Sequence, residues 1–212
     1  MICPTVTATK LEEYKKQIAI NAALAHRLHI DLMDGEFAPT KSIDINDVWW
    51  PHAVQADLHL MYKQPMDFLE KIVKFQPKLV IIHAEADVHH MHFAAELHKE
   101  GINAGLALLP ETSVESVEAV LHSFDHVLIF SGNLGHQGGS HADLTLLEKI
   151  KEIKKHHKNV EVGWDGGVNE QNISKIQKAG VDVINVGGFI QHAPNPGVAY
   201  VKLLALTETN HE

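Results

Sequence analysis

The chain has 212 residues, 45% of them hydrophobic and 21% charged, which is enough apolar material for one sizeable core. Its 27 acidic and 18 basic residues give a formal net charge of -9, and Lys and Arg are nowhere dense enough to neutralise a row of phosphates. That balance speaks against a nucleic-acid partner. An anionic substrate would have to be held locally, by a metal, helix N-termini or backbone amides, because the field of the whole chain repels it.

Cys3 is the only cysteine, so no disulfide forms within the chain and a reducing compartment is the natural setting. The opening MICPTVTATKLEEYKK has no basic segment leading into an apolar one, and no run of about 18 apolar residues occurs. A soluble, cytoplasmic chain without a membrane partner is expected. The 17 histidines are many, but VHHMH (88–92) and KKHHK (154–158) fall where amphipathic helices begin or end. They read as solvated helix ends, with an adventitious metal site as the alternative.

In chain order, short runs rich in Val, Ile and Leu are expected as strands: ICPTVT (2–7), RLHIDLM (27–33), VQADLHLM (54–61) and KLVIIHAE (78–85). NAGLALL (103–109), HVLIFSG (126–132), VEVGWDGG (160–167) and VDVINVGG (181–188) complete the set. Between them lie segments of helical period, LEEYKKQIAINAALA, PMDFLEKIVKF, HFAAELHKEG, DLTLLEKIKEIKKHH and EQNISKIQKAG, several ending at Gly or Asn as helix C-termini prefer. Eight βα units with no linker or low-complexity tract predict a single-domain (β/α)8 TIM barrel over residues 1–212. An open doubly wound sheet is the alternative. Its dinucleotide-binding form needs a Gly-rich turn after the first strand, and TVTATKLEEY has no glycine.

Polar residues inside strands carry the chemistry, because a buried charge is costly unless it is paired or bound to metal. The period of two puts His29, Asp31 and Met33 on one face of the second strand and His59 and Met61 on one face of the third. Asp165 ends the seventh. Strand C-termini are the functional end of a barrel, and here they bring two imidazoles and two carboxylates. That set can hold Zn²⁺, and also Mn²⁺, Fe²⁺ or Co²⁺. Any one of the four alone would read as a hydrogen-bonded strand residue; their convergence favours a site. Gly166-Gly167 and Gly187-Gly188 follow the last two strands, where barrel enzymes present backbone N–H groups to phosphate. Either pair could instead simply turn a strand into a helix.

HIDLMDGEFAPT resembles the H-x-D-x-M-D-G-x-F-x-P-N segment of the ribulose-phosphate 3-epimerase family. DLHLM, HAEAD (83–87), GLALLPET and WDGGVNEQNI are similar, in order, to that family's D-V-H-L-M, H-x-E, G-x-A-L-x-P-x-T and V-D-G-G-V. The resemblance implies a metal-dependent epimerase acting at C3 of D-ribulose 5-phosphate, with a ketohexose 6-phosphate such as allulose 6-phosphate as the alternative substrate. A non-catalytic phosphosugar-binding barrel is the alternative of another class. It further implies one divalent metal ion, zinc ahead of iron, manganese or cobalt, on His29, Asp31, His59 and Asp165. Asp31 and Asp165 would double as the acid/base pair. Met33 and Met61 would line the space around an enediolate, with plain core packing as the other reading, and the four glycines would hold phosphate. Relatives are homo-oligomers, so a homo-oligomer is expected.

Two stretches depart from the family pattern. Its P-S-I-L-S-A-D aligns with Pro4 to Lys10, so a substrate-contacting serine falls on Ala8, and that hydroxyl is lost unless Thr7 or Thr9 turns in. Its M-x-V-x-P-G-F-G-G-Q appears as Phe130 to Gly139, with Phe130 in place of a third methionine. The D-x-K-x-x-D strand of the hexulose-phosphate synthase and orotidine decarboxylase relatives is absent.

Overall fold

A computed structural model of the protein describes residues 1–136 and 138–208. The strands are β1 (Ile2–Val6), β2 (Arg27–Met33), β3 (Gln55–Met61), β4 (Leu79–His83), β5 (Asn103–Leu108), β6 (His126–Phe130), β7 (Glu161–Asp165) and β8 (Val183–Val186). All pair in parallel in chain order, and β8 closes on β1 through Ile2↔Ile184, so the sheet is a closed barrel and the open-sheet alternative falls. Each expected strand is present, β2 with its expected bounds and the other seven with trimmed ends. Gly166-Gly167 and Gly187-Gly188 lie outside β7 and β8, where the chain leaves the ladder.

The expected helical segments become α1 (Leu11–Ala22), α2 (Leu69–Lys74), α3 (His90–Lys99), α5 (Leu147–His156) and α6 (Ile173–Lys178). Three helices were not anticipated: α4 (Val114–Leu121), α7 (Gly188–Gln191) and α8 (Pro196–Glu208). Ser113 caps α4, its Oγ accepting the Ser116 N–H at 3.2 Å, a local signal visible in the sequence. Between β2 and β3 there is one 3₁₀ turn, Ile45–Asp47, in place of an α-helix. The histidine-rich runs sit at helix ends as expected: His89 caps α3 by accepting the His92 N–H at 3.2 Å, and His157, just past α5, meets Glu118 at 3.1 Å. Among the described residues no helix is long and apolar enough to cross a membrane.

Alternation along each strand separates two cores. Val80, Ile82, Leu106, Val127 and Ile129 pack outward with Phe93, Leu97 and Ile150 of the helices. Leu79, Ile81, Ala107 and Leu128 form a smaller cluster inside the barrel. Gly105 faces the same interior, since a Cβ there would lie 2.8 Å from Ile81 Cγ1.

The N-terminal end of the barrel is closed by charges. Arg27 Nε donates to both Asp57 oxygens at 3.0 and 2.8 Å, and its terminal nitrogens reach Glu161 at 2.8 and 2.8 Å. His126 Nδ1 meets Glu161 at 2.8 Å. Burial raises the Asp57 carboxyl above its usual range even beside the Arg27 guanidinium. Burial would also raise Glu161, but hydrogen bonds from Arg27 and His126 hold it well below the usual range. Arg27→Met would strand Asp57, which is only 1% exposed, without its counter-charge. Removing one partner of such a pair costs about 3 to 5 kcal/mol, so the denaturation midpoint in urea should fall sharply. An unchanged midpoint would show that this network does not hold the barrel's base.

Candidate metal and proton-transfer site

The two imidazoles and two carboxylates named from sequence meet at the C-terminal end of the barrel. The β2–β3 register pairs Asp31 with His59 and Met33 with Met61, and β7 sets Asp165 beside Phe130 of β6 and Asn185 of β8. His59 Nδ1 lies 2.9 Å from Asp31 Oδ1 and 3.3 Å from His29 Nε2, and His29 Nε2 is 3.2 Å from Asp31 Oδ1. Asp165 Oδ2 stands 3.9 Å from His29 Nε2 and 4.0 Å from His59 Nδ1. One donor atom from each residue falls within 4.8 Å of all the others.

Donors around an ion at the ~2.0–2.2 Å typical of Zn–N and Zn–O bonds stand about 3.3–3.6 Å apart in a tetrahedron. The separations above bracket that spacing. Two nitrogens and two carboxylates, all buried, are chemically suited to a divalent cation, and the group fits one.

The electrostatics of the four groups are set by burial and by one another. Burial raises the Asp31 carboxyl, but hydrogen bonds and charge from His29 and His59 outweigh it and hold Asp31 well below the usual range. Burial and the neighbouring Asp31 carboxylate push Asp165 up to about 7. Burial drives His59 down to about 3, leaving a neutral imidazole with a free lone pair. His29 moves the other way: burial opposes its charge, yet the Asp31 hydrogen bond and carboxylate raise it above its ordinary value.

A cation must displace the proton from Asp165 whenever the pH is below about 7, because that acid's proton is held more tightly than in an ordinary aspartic acid. Apparent affinity for Zn²⁺ is therefore expected to drop by roughly tenfold or more per pH unit below that point and to flatten above it. Chelator competition from pH 5.5 to 8 checks this. Affinity independent of pH would contradict the assignment of Asp165 as a ligand.

Above the four donors opens a cavity of about 280 Å³ lined by Asp31, Met33, Met61, Asp165 and both double glycines. Met33 and Met61 are 2% and 3% exposed and pack together around Ala38, so they wall the cavity and fill core at once. Gly166 and Gly167 have φ of +115° and +68°, and a Cβ on either would lie 2.2 and 2.1 Å from the backbone nitrogens of Gly132 and Ala142. Both are thus required by close backbone approach. Gly188 is pressed likewise, its Cβ position 2.8 Å from Gly138 Cα.

Of the two threonines that could stand in for the family's serine, Thr7 is the one at the cavity. Its hydroxyl faces the cavity and donates to Asp31 Oδ2 at 2.5 Å, while Ala8 is buried in the outer core. Cys3, Thr5 and Thr7 alternate along β1 and just past its end, which would have identified the inward face. Thr5 and Asn185 also reach the cavity wall, and among the described residues the oxygens Thr5 Oγ1 and Asn185 Oδ1 have no hydrogen-bond partner. Phe130 lines the cavity and sets its ring 5.9 Å from His59 and 5.7 Å from a further buried imidazole, His83. The loop after β6 brings Gly138 and Gly139, both with positive φ, to the cavity rim; Gln137 lies outside the described residues.

This arrangement has relatives. A family model described as the ribulose-phosphate 3 epimerase family matches residues 1–190. The ribulose-phosphate 3-epimerase of Helicobacter pylori (strain J99) is 33% identical over 195 residues, 89% of this chain and 89% of that protein. The protein of the same name from Bacillus subtilis (strain 168) is 33% identical over 172 residues, 77% of this chain and 78% of that one. A crystal structure of 3-hexulose-6-phosphate synthase superposes with a TM-score of 0.71 over 97% of this chain and 98% of that one, at 18% identity, a likeness of fold alone. Given this match along nearly the whole chain, the protein belongs to the ribulose-phosphate 3-epimerase family and is an epimerase of the isomerase class.

Proposed function

We propose that the protein inverts C3 of a ketose phosphate, converting D-ribulose 5-phosphate to D-xylulose 5-phosphate, with Asp31 and Asp165 as the two proton carriers. The observation that carries this reading is a pair of aspartates, Asp31 and Asp165, that border one cavity and belong to one cluster of four metal-suited donors. Two carboxylates that can exchange the roles of base and acid are what a two-base epimerisation needs. Asp31 takes the C3 proton from one face, Asp165 returns a proton to the other, and the roles reverse for the opposite direction. Thr7, hydrogen-bonded to Asp31, orients that carboxylate.

A divalent ion on His29, Asp31, His59 and Asp165, zinc in preference to iron, manganese or cobalt, would supply positive charge to the enediolate oxygens. Met33, Met61 and Phe130 keep the reacting carbon's surroundings apolar and exclude water. The backbone at Gly166, Gly167, Gly187 and Gly188 takes the phosphate, as the net charge of the chain requires of a local device. The same reading makes the enzyme cytoplasmic and homo-oligomeric, the latter checked by light scattering.

Turnover in D₂O tests the proposal. Ribulose 5-phosphate should convert to its C3 epimer with solvent deuterium at C3. A barrel that only binds phosphosugars gives neither conversion nor label, and faster turnover of allulose 6-phosphate would move the substrate assignment to a ketohexose. The phosphorylated ketose should be preferred over the free sugar in kcat/KM by at least about 3 kcal/mol, since remote binding energy orients the reacting carbon. Equal turnover of the two would remove the glycine backbone from substrate recognition.

A further inference from the structure

Behind the metal-facing side of His59 lies a second chain of polar groups that the proposed reaction does not use. His59 Nδ1 is turned toward Asp31 and His29, so its other nitrogen points away, and His59 Nε2 lies 2.9 Å from His83 Nε2. The two rings stack with centroids 5.0 Å apart and 29° between planes. His83, at the end of β4, is fully buried, with Phe37 centred 4.7 Å away on one side and Phe130 edge-on at 5.7 Å. Its remaining nitrogen, Nδ1, stands at ion-pair distance, 3.4 Å, from Glu85 Oε2, without a hydrogen bond among the described residues. Glu85 is itself held: its Oε1 accepts the Leu109 N–H at 3.2 Å and the Thr112 hydroxyl.

Resting on the reading of the four-donor cluster as a metal centre, we propose that His83 and Glu85 are positioning residues that fix the tautomer and orientation of the metal ligand His59. The protons follow from the geometry. A ligand nitrogen must present a lone pair, so His59 carries its proton on Nε2 and donates it to His83 Nε2. His83 then carries its own proton on Nδ1, the nitrogen that faces the negative charge of Glu85 at 3.4 Å. Each group in the series leaves its neighbour one permissible state. A histidine ligand whose second nitrogen is held this way binds metal more tightly than a free-turning ring, and loss of the outer partner costs about 10- to 100-fold in affinity.

Glu85→Gln separates this role from loop anchoring. The amide oxygen can still accept from Leu109 and Thr112, but the amide nitrogen donates toward His83 Nδ1 and drives the His83 proton onto Nε2. Two N–H groups would then face each other across the His59–His83 contact, and relieving them moves the His59 proton to the nitrogen that the metal needs. Zn²⁺ affinity by chelator competition should fall by about 10- to 100-fold, and the visible spectrum of the Co²⁺-loaded protein should shift, while the melting temperature of the metal-free protein stays near wild type. Thr112→Val removes the other hydroxyl contact to Glu85 without touching His83 and should leave both metal readouts unchanged. Wild-type affinity in Glu85→Gln, or an equal loss in Thr112→Val, would overturn the proposal while leaving the metal centre standing. Absence of Zn²⁺ and Co²⁺ binding in the wild-type protein would overturn both.

Discussion

Asp31→Asn and Asp165→Asn should each lower net epimerisation by at least about 10²-fold with metal at saturation, because half of the two-base cycle then has no proton carrier. Asparagine keeps a carbonyl oxygen for the ion but cannot exchange a proton. The two changes differ in their side effects. At Asp165, the amide resembles the protonated acid that the metal-free protein favours below about pH 7, so the metal-free fold should be little disturbed. At Asp31, the substitution removes the negative charge that supports His29 and His59 and the acceptor of the Thr7 hydroxyl. Weaker metal binding is therefore expected there, and ion content must be measured beside the rate. Near wild-type epimerisation in either variant with full metal content would rule out the two-aspartate mechanism.

His59→Ala should take the protein from about one divalent ion per chain to almost none. His59 supplies the neutral imidazole of the set, since burial suppresses its protonation, and its Nδ1 is the donor atom nearest Asp31. The barrel should remain folded, because the interior cluster of Leu79, Ile81, Ala107 and Leu128 and the charged network at the opposite end are untouched. Elemental analysis and circular dichroism separate the two outcomes. A wild-type protein that carries no metal and does not respond to added Zn²⁺, Mn²⁺ or Fe²⁺ would count against the site itself.

The barrel was legible because each strand is a short apolar run and because polar residues at strand ends are too costly to be incidental. His29, Asp31 and Met33 alternate on β2, and the register of β2 on β3 then delivers His59 and Met61 to the same layer. The serine of the family pattern falls on Ala8, which left Thr7 and Thr9 as alternatives; continuing the alternation of Cys3 and Thr5 past the end of β1 turns Thr7 inward. The charges of Arg27, Asp57, His126 and Glu161 are plain in the sequence, but their pairing exists only once closure of the barrel sets β2 against β7 across its base. Gly166 and Gly167 show the same limit. Their need for φ above zero reflects the backbone at Gly132 and Ala142 pressing on them, a long-range contact that a double glycine alone does not announce.

The most direct test of the central claim is solvent deuterium wash-in, measured separately on each C3 epimer with metal-loaded Asp31→Asn and Asp165→Asn. With one carboxylate left, a proton can be taken from and returned to one face only. Each variant should label the single epimer whose C3 hydrogen faces its remaining aspartate, and the two variants should label opposite epimers. Labelling of both epimers by one variant, or of the same epimer by both, would contradict an epimerisation in which Asp31 and Asp165 work from opposite faces of C3.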